Sequence, residues 1–185
     1  RKGVCGTVNL NRALQAALNP PAADKRQKPW GDMVFREGDR IMQTRNNYDV
    51  VWEKADGTAG TGIFNGDVGV IREIDPSGEL ITLQFDDRTC VYTADLLNQL
   101  DMAYAMTVHK AQGSEYRAVV LASTAVAPAL MVRGVLYTAI TRARELLILV
   151  GDDIVPGQMA ANDKQQRRYS GLRRRLREEA EHGLQ

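Results

Sequence analysis

The chain has 185 residues, 44% hydrophobic and 25% charged, which suits one or two domains with real cores and argues against disorder along the whole length. A net charge of +1 rules out a whole-molecule field as the attractor of nucleic acid and leaves only local patches. Cys5 and Cys90 lie far apart without metal-ligand spacing, so neither a disulfide framework nor a metal site is expected. No apolar run reaches the roughly 18 residues that span a bilayer, and no signal-peptide layout opens the chain, so a cytoplasmic protein without membrane partners is expected.

Residues 7–18 place Leu10, Leu14, Ala17 and Leu18 at helical spacing, and Asn19-Pro20-Pro21 ends the pattern, which predicts a short amphipathic helix. The polar, proline-bearing stretch PPAADKRQKPWGD reads as an exposed loop. Residues 1–32 thus form an N-terminal helix and connector.

Between residues 33 and 100 the period becomes strand-like. RIMQTR, VVWEK, VGVIREI, LITLQF and TCVYT are short β-branched or aromatic runs, punctuated by NNYD, ADGTAGTG, FNGD, DPSG and DDR at a spacing of about ten residues. Asn65-Gly66 and Ser77-Gly78 supply the positive φ that tight reversals need. A five-stranded barrel is the expected closure, because closing a sheet removes its edges. Such a barrel is either a nucleic-acid or peptide adaptor or a purely structural insert.

Residues 101–185 read as α/β. MAYAMTV, YRAVVLAS and LLILV are apolar runs without alternation, as parallel strands covered on both faces would be. PALMVRGVLYTAITRAREL, with Leu130, Val135, Tyr137 and Ile140 among its apolar positions, reads as the crossover helix. The tail gathers Lys164, Arg167, Arg168, Arg173, Arg174, Arg175 and Arg177 without an acid between residues 164 and 177. That run is either a solvated helix face or a nucleic-acid patch.

Two clusters carry chemistry. TVHKAQGSEY, residues 107–116, follows the first of these strands, where ligands collect in parallel sheets. Thr107, Gln112 and Ser114 are neutral donors suited to phosphate or sugar oxygens, Lys110 adds charge, and Gly113 permits close backbone approach. His109 and Glu115 taken singly are ordinary surface residues. The second cluster, YTAITRARE, puts Arg142 and Arg144 at the end of the crossover helix, with Thr138 four residues before Arg142. An arginine there is either a helix-end cation favoured by the macrodipole or a guanidinium that stabilises charge on a γ-phosphate.

TVHKAQGSEY followed about twenty residues later by VLYTAITRAREL resembles motifs V and VI of superfamily 1 helicases, in the RecD-like branch that includes relatives among conjugative relaxase-helicases. GVCGTVNLNRALQAALNP is similar to the segment opening the second RecA-like domain of that family, and FREGDRIMQTRNNYD with FNGDVGVI resembles the SH3-like barrel inserted into it. The resemblance implies an α/β fold, a RecA-like parallel sheet of the P-loop NTPase kind carrying a small SH3-like β-barrel. It implies single-stranded DNA contacts at Thr107, His109 and Lys110, a nucleotide near Gly113, Ser114 and Glu115, and Arg142 as the γ-phosphate sensor. It also suggests strand contacts at Asn46, Asn47 and Tyr48 in the barrel, and ATP-driven movement in the 5′ to 3′ direction.

No G-x-x-x-x-G-K-[ST] loop occurs, so the chain lacks the lysine-bearing cradle for β- and γ-phosphates. LLILVGDD imitates a magnesium-holding strand and acid, but Asp152 and Asp153 follow motif VI and read as a strand-end turn. The expectation is therefore a fragment of a longer helicase, beginning abruptly at Arg1, inactive alone and binding neither ATP nor Mg2+ by itself. Its partners would be single-stranded DNA and an N-terminal RecA-like domain of the same helicase. The alternative is a non-catalytic nucleic-acid-binding module on a helicase remnant.

Overall fold

The structure, a computed structural model, describes Gly3, residues 5–124 and 127–164, Gly171, residues 175–177 and Glu179. It forms two compact units, residues 1–115 and 116–185.

In the first unit helix α1 spans Thr7–Leu18, as its spacing predicts. The face it buries is a different one. Leu18 is 68% exposed, whereas Asn11 and Asn19 are only 7% and 5% exposed. Asn11, Gln15 and Asn19 follow at intervals of four and so share one face of the helix. That face meets backbone carbonyls and a carboxylate rather than apolar side chains, and buried polar groups require partners, so carboxamides outrank leucine there.

The connector read as a loop contains a strand. β1 (Gln27–Trp30) pairs antiparallel with β2 (Met33–Arg36) across a two-residue reversal, Trp30 opposite Met33. Pro29 is tolerated because this ladder has only two strands and both are edges.

All five expected strands form, as β3 (Arg40–Gln43), β4 (Asn47–Lys54), β6 (Val68–Ile74), β7 (Leu80–Phe85) and β8 (Arg88–Thr93). Two more join them, β5 (Ala59–Ile63) and β9 (Leu100–Met102). The seven run in the order β5-β4-β8-β7-β6-β3-β9 with every neighbouring pair antiparallel. Among the described residues β5 and β9 end this order without pairing to each other, so the ladder is longer than the expected barrel and is not closed by strand pairing. β5 escaped notice because AGTGI offers little β-branched or aromatic signal.

The core of this unit follows strand alternation. Ile81, Leu83 and Phe85 point inward from β7 and Cys90 and Tyr92 from β8, joined by Phe35, Ile41, Ile63 and Leu97. In β6 Ile71 and Ile74 both face in although they lie an odd three positions apart, because a bulge between Ile71 and Glu73 shifts the parity. Gly66 sits at φ +101°, the left-handed region that the Asn65-Gly66 reversal demands.

Cys90 is 3% exposed, and burial pushes its thiol up to about 12, while Cys5 is exposed. Only the thiolate is reactive, so a chromogenic aromatic disulfide at pH 8 is expected to titrate one fast thiol, removed by Cys5→Ser. The second thiol should react only on unfolding.

The second unit contains β10 (Tyr116–Ser123), α2 (Arg133–Ile140), β11 (Ala143–Gly151) and α3 (Ile154–Ala161). β10 and β11 pair in parallel from Tyr116↔Ala143 to Ser123↔Gly151. MAYAMTV does not supply a third parallel strand. Only its first residue belongs to a strand, Met102 of β9, which adds to the antiparallel ladder, and residues 103–115 are bends and turns.

The crossover helix is also shorter than its pattern, and it buries Leu136 and Ala139 rather than Tyr137 and Ile140. Leu136 packs with Val155 and Met159 of α3, with Leu121, Met131 and Val135 alongside. Contrary to the expectation of covered strands, Val120, Leu146, Ile148, Leu149 and Val150 are exposed, and in the strand alternation Ile148 and Leu149 fall on opposite faces. Among the described residues no helix is long and apolar enough to cross a membrane.

Candidate functional site

Residues 107–115 occupy the turns that follow β9 in the first unit. Met102 is the last ladder residue, the Ala103 N–H donates to the Arg40 carbonyl at 2.9 Å, and no strand pairing continues beyond. Three backbone bonds then wind the chain: the Ala111 N–H donates to the Thr107 carbonyl at 3.1 Å, the Gln112 N–H to the His109 carbonyl at 3.3 Å and the Ser114 N–H to the Ala111 carbonyl at 3.2 Å. The Thr107 hydroxyl accepts from the Lys110 N–H at 3.3 Å and keeps one hydrogen of its own to donate. Threonine serves here because it both caps the turn and presents a donor.

His109, Gln112, Gly113 and Glu115 are exposed, and Thr107, Lys110 and Ser114 are half-buried. Gly113 has φ +84°, and a Cβ there would meet nothing within 4 Å. Its glycine is therefore required by the turn conformation, whereas the sequence suggested close backbone approach. The Lys110 ammonium forms an ion pair with Asp101 at 3.0 Å. That pair holds the stem in place and leaves further N–H donors on an ammonium that has three.

In the second unit Arg142 lies beyond the end of α2 and Arg144 lies within β11, so neither is on the helix. The guanidinium of Arg142 is half-buried. Its Nε donates to the Thr138 carbonyl at 3.1 Å and its Nη2 to the Thr141 hydroxyl at 3.2 Å. Thr138, four residues earlier, thus meets Arg142 as the spacing suggested, though through its backbone. Anchored at the helix C-terminus, where unpaired carbonyls favour cations, the guanidinium is restricted before any ligand arrives.

Asp152 and Asp153 form a strand-end turn: the Asp152 carboxylate accepts from the Ile154 N–H at 2.9 Å as α3 begins. Among the described residues no cluster of three His, Cys, Asp or Glu could hold a metal ion. Of the basic tail, Arg167, Arg168, Arg173 and Arg174 lie outside the described residues.

On the antiparallel ladder Tyr48 is 65% exposed and Phe64 40% exposed, their rings edge to face with centroids 5.5 Å apart. The Asn46 carboxamide braces this pair, donating to the Tyr48 hydroxyl at 3.4 Å and accepting from the Asn65 N–H at 3.0 Å. Asn47 is committed internally, donating to Gln99 at 3.1 Å and accepting from the Asp49 N–H at 3.1 Å. Phe64 was missed in the sequence because it stands in a turn segment, and only the fold sets it against Tyr48.

A second group escaped sequence reading. The carboxylate of Asp39, fully buried, accepts four hydrogen bonds: Oδ1 from Asn19 Nδ2 at 2.7 Å and from the Tyr104 hydroxyl at 2.9 Å, Oδ2 from Gln15 Nε2 at 2.6 Å and from the Arg36 N–H at 2.7 Å. It ties α1 and the chain just before the 107–115 turns to the start of β3. The polar stripe of α1 was the available signal.

The architecture so assembled is a parallel βαβ unit that follows an antiparallel ladder in the chain. Residues 10–85 match the SH3 domain of ATP-dependent RecD-like DNA helicases, and residues 102–150 match the UvrD-like helicase C-terminal domain. The chain belongs to the RecD-like branch of the superfamily 1 helicases. It is 33% identical over 177 residues to the ATP-dependent RecD2 DNA helicase of Deinococcus radiodurans, covering 96% of this chain and 22% of that protein. It is 31% identical over 176 residues to the RecBCD enzyme subunit RecD of Mycobacterium tuberculosis, covering 95% of this chain and 27% of that protein. The chain thus spans about a quarter of the length of these relatives. A crystal structure of Bacteroides Pif1 bound to single-stranded DNA shares the fold, with a TM-score of 0.50 at 14% identity, covering 95% of this chain and 45% of that one.

Proposed function

We propose that the chain is the second motor half of an ATP-dependent 5′ to 3′ DNA helicase. In that reading residues 1–32 and 101–185 belong to a RecA-like domain and residues 33–100 to its SH3-like barrel insert. Further strands and helices of the longer protein cover the apolar residues that β10 and β11 leave exposed. Thr107, His109 and Lys110 contact single-stranded DNA, with Tyr48, Asn46 and, less directly, Asn47 contributing from the ladder. Gly113, Ser114, Glu115 and Arg142 face a nucleotide that an N-terminal RecA-like domain of the same helicase also holds.

Bound ATP and Mg2+ supply the transferable phosphoryl group and neutralise its developing charge. This chain fits that role in part: Arg142 is a restrained guanidinium of the right chemistry for a phosphate oxygen, while its sequence holds no G-x-x-x-x-G-K-[ST] phosphate loop. The observation that carries the reading is Arg142 pinned by the Thr138 carbonyl, in one chain with the exposed polar turns at 107–115.

Binding of a fluorescent oligothymidylate to this chain, followed by anisotropy, tests the DNA part. Affinity should fall with added salt, with a log-log slope of about −0.7 per phosphate neutralised. Lys110→Ala should shallow that slope. Tyr48→Ala should weaken binding by about 1–3 kcal/mol if one base stacks on it. Salt-independent binding, or variants equal to the parent, would count against these contacts.

A further inference from the structure

We propose that Asn11 of α1 is a positioning residue for the DNA-facing turn that begins at Thr107, acting through the peptide of Ala105. The proposal rests on the reading above that Thr107 and Lys110 meet single-stranded DNA. After Ala103 the chain has left the ladder, and Tyr104 and Ala105 run as bends without a strand partner. Asn11 replaces that partner. Its Oδ1 accepts from the Ala105 N–H at 2.7 Å while its Nδ2 donates to the Ala105 carbonyl at 2.9 Å and to the Met102 carbonyl at 3.2 Å.

A carboxamide that exchanges both bonds with one residue reproduces what a neighbouring strand gives, and fixes both ends of that residue. The side chain is 7% exposed and its partners lie more than ninety residues away in sequence, so the contact orients the turn against the helix rather than stabilising the helix locally. Thr107, two residues on, and Lys110 line the same water-sized cavity as Asn11 and Thr7. The charged groups lining it are Asp101 and Lys110, which are paired with each other.

Only a group with one donor and one acceptor serves both sides of Ala105. Asn11→Asp supplies two acceptors when ionised, facing two carbonyl oxygens, and regains a donor when protonated. Oligothymidylate affinity of this chain is measured from pH 8 to pH 5 for the parent, Asn11→Asp, Asn11→Ala and Thr107→Val, each reported as a ratio to the parent at the same pH so that pH effects common to all of them cancel. Asn11→Asp should bind on the order of tenfold more weakly at pH 8, the scale of a lost clamp of hydrogen bonds, and approach the parent at pH 5. Asn11→Ala and Thr107→Val should show losses that do not change with pH.

Should Asn11→Ala fail to fold, judged by emission of Trp30 and Trp52, the two ends of the Asn11→Asp profile carry the test alone. A ratio for Asn11→Asp that stays constant across the range, or equals one at pH 8, overturns the proposal while a loss in Thr107→Val leaves the DNA reading standing. Parent-like binding by Thr107→Val overturns the DNA reading of the turn and this proposal with it.

Discussion

Arg142→Ala, introduced into the complete helicase, should lower DNA-stimulated ATP hydrolysis by about 10³-fold or more while leaving single-stranded DNA affinity nearly unchanged. Transfer of a phosphoryl group spreads charge over its oxygens, and a guanidinium already oriented toward it stabilises that charge without reorganising. The orientation is supplied by α2: Nε is fixed on the Thr138 carbonyl and Nη2 on the Thr141 hydroxyl. Arg142→Lys should therefore recover little, because a lysine keeps the charge but lacks the Nε–H that anchors the group and the planar fork that meets two oxygens. Measuring kcat against DNA affinity separates the outcomes. Hydrolysis within about threefold of the parent would favour the rival reading, a nucleic-acid-binding module built on a motor remnant, since true γ-phosphate arginines contribute on the order of 10³ to 10⁵.

The second large effect is on stability. Asp39→Ala should destabilise the first unit by about 3–5 kcal/mol, because it strands the buried donors of Asn19 and the Arg36 amide, each worth about 1–3 kcal/mol when unsatisfied, and removes the acceptor of the half-buried Gln15 and Tyr104 donors. Against a typical domain stability of about 5–15 kcal/mol, that is a large share. Asp39→Asn should lie between, as one amide cannot accept on both sides. Urea unfolding read by tryptophan emission reports this unit, since Trp30 and Trp52 are the two tryptophans of the chain and both belong to it.

The same network predicts an alkaline limit. Burial, followed by the hydrogen bond to Asp39, pushes the Tyr104 phenol from 10.0 up to about 12. A group whose folded pKa lies above its unfolded value contributes fully below the unfolded one and loses that contribution as pH rises through the folded one. Stability should therefore decline between pH 10 and about 12, and Tyr104→Phe should flatten part of that slope. Cys90 and Tyr92, both also raised chiefly by burial, contribute to the remainder. An unchanged slope in Tyr104→Phe would show that the phenol does not carry it.

The family was legible because motifs are local. TVHKAQGSEY and YTAITRARE resemble the RecD-like branch by residue type and spacing, and the family matches bear out that resemblance. What neither the residues nor their spacing disclosed was how the turns are held. Gly113 is glycine for its φ rather than for room, Lys110 is already paired with Asp101, and the exposed aromatic at Tyr48 has Phe64 as its neighbour.

The sequence by itself determined the span of α1, five strands of the antiparallel ladder, their reversals, and the order of the two motif clusters. Each depends on a period of two or of about 3.6, or on a residue that tolerates positive φ, within a few positions. Only the tertiary structure decided that α1 buries Asn11 and Asn19 instead of Leu18, that QKPW and AGTGI become strands, and that the chain leaves the sheet at Met102 instead of continuing through Val108. Those outcomes follow from satisfying backbone and carboxylate groups with partners about twenty to ninety residues away, a constraint that no window of neighbouring residues contains.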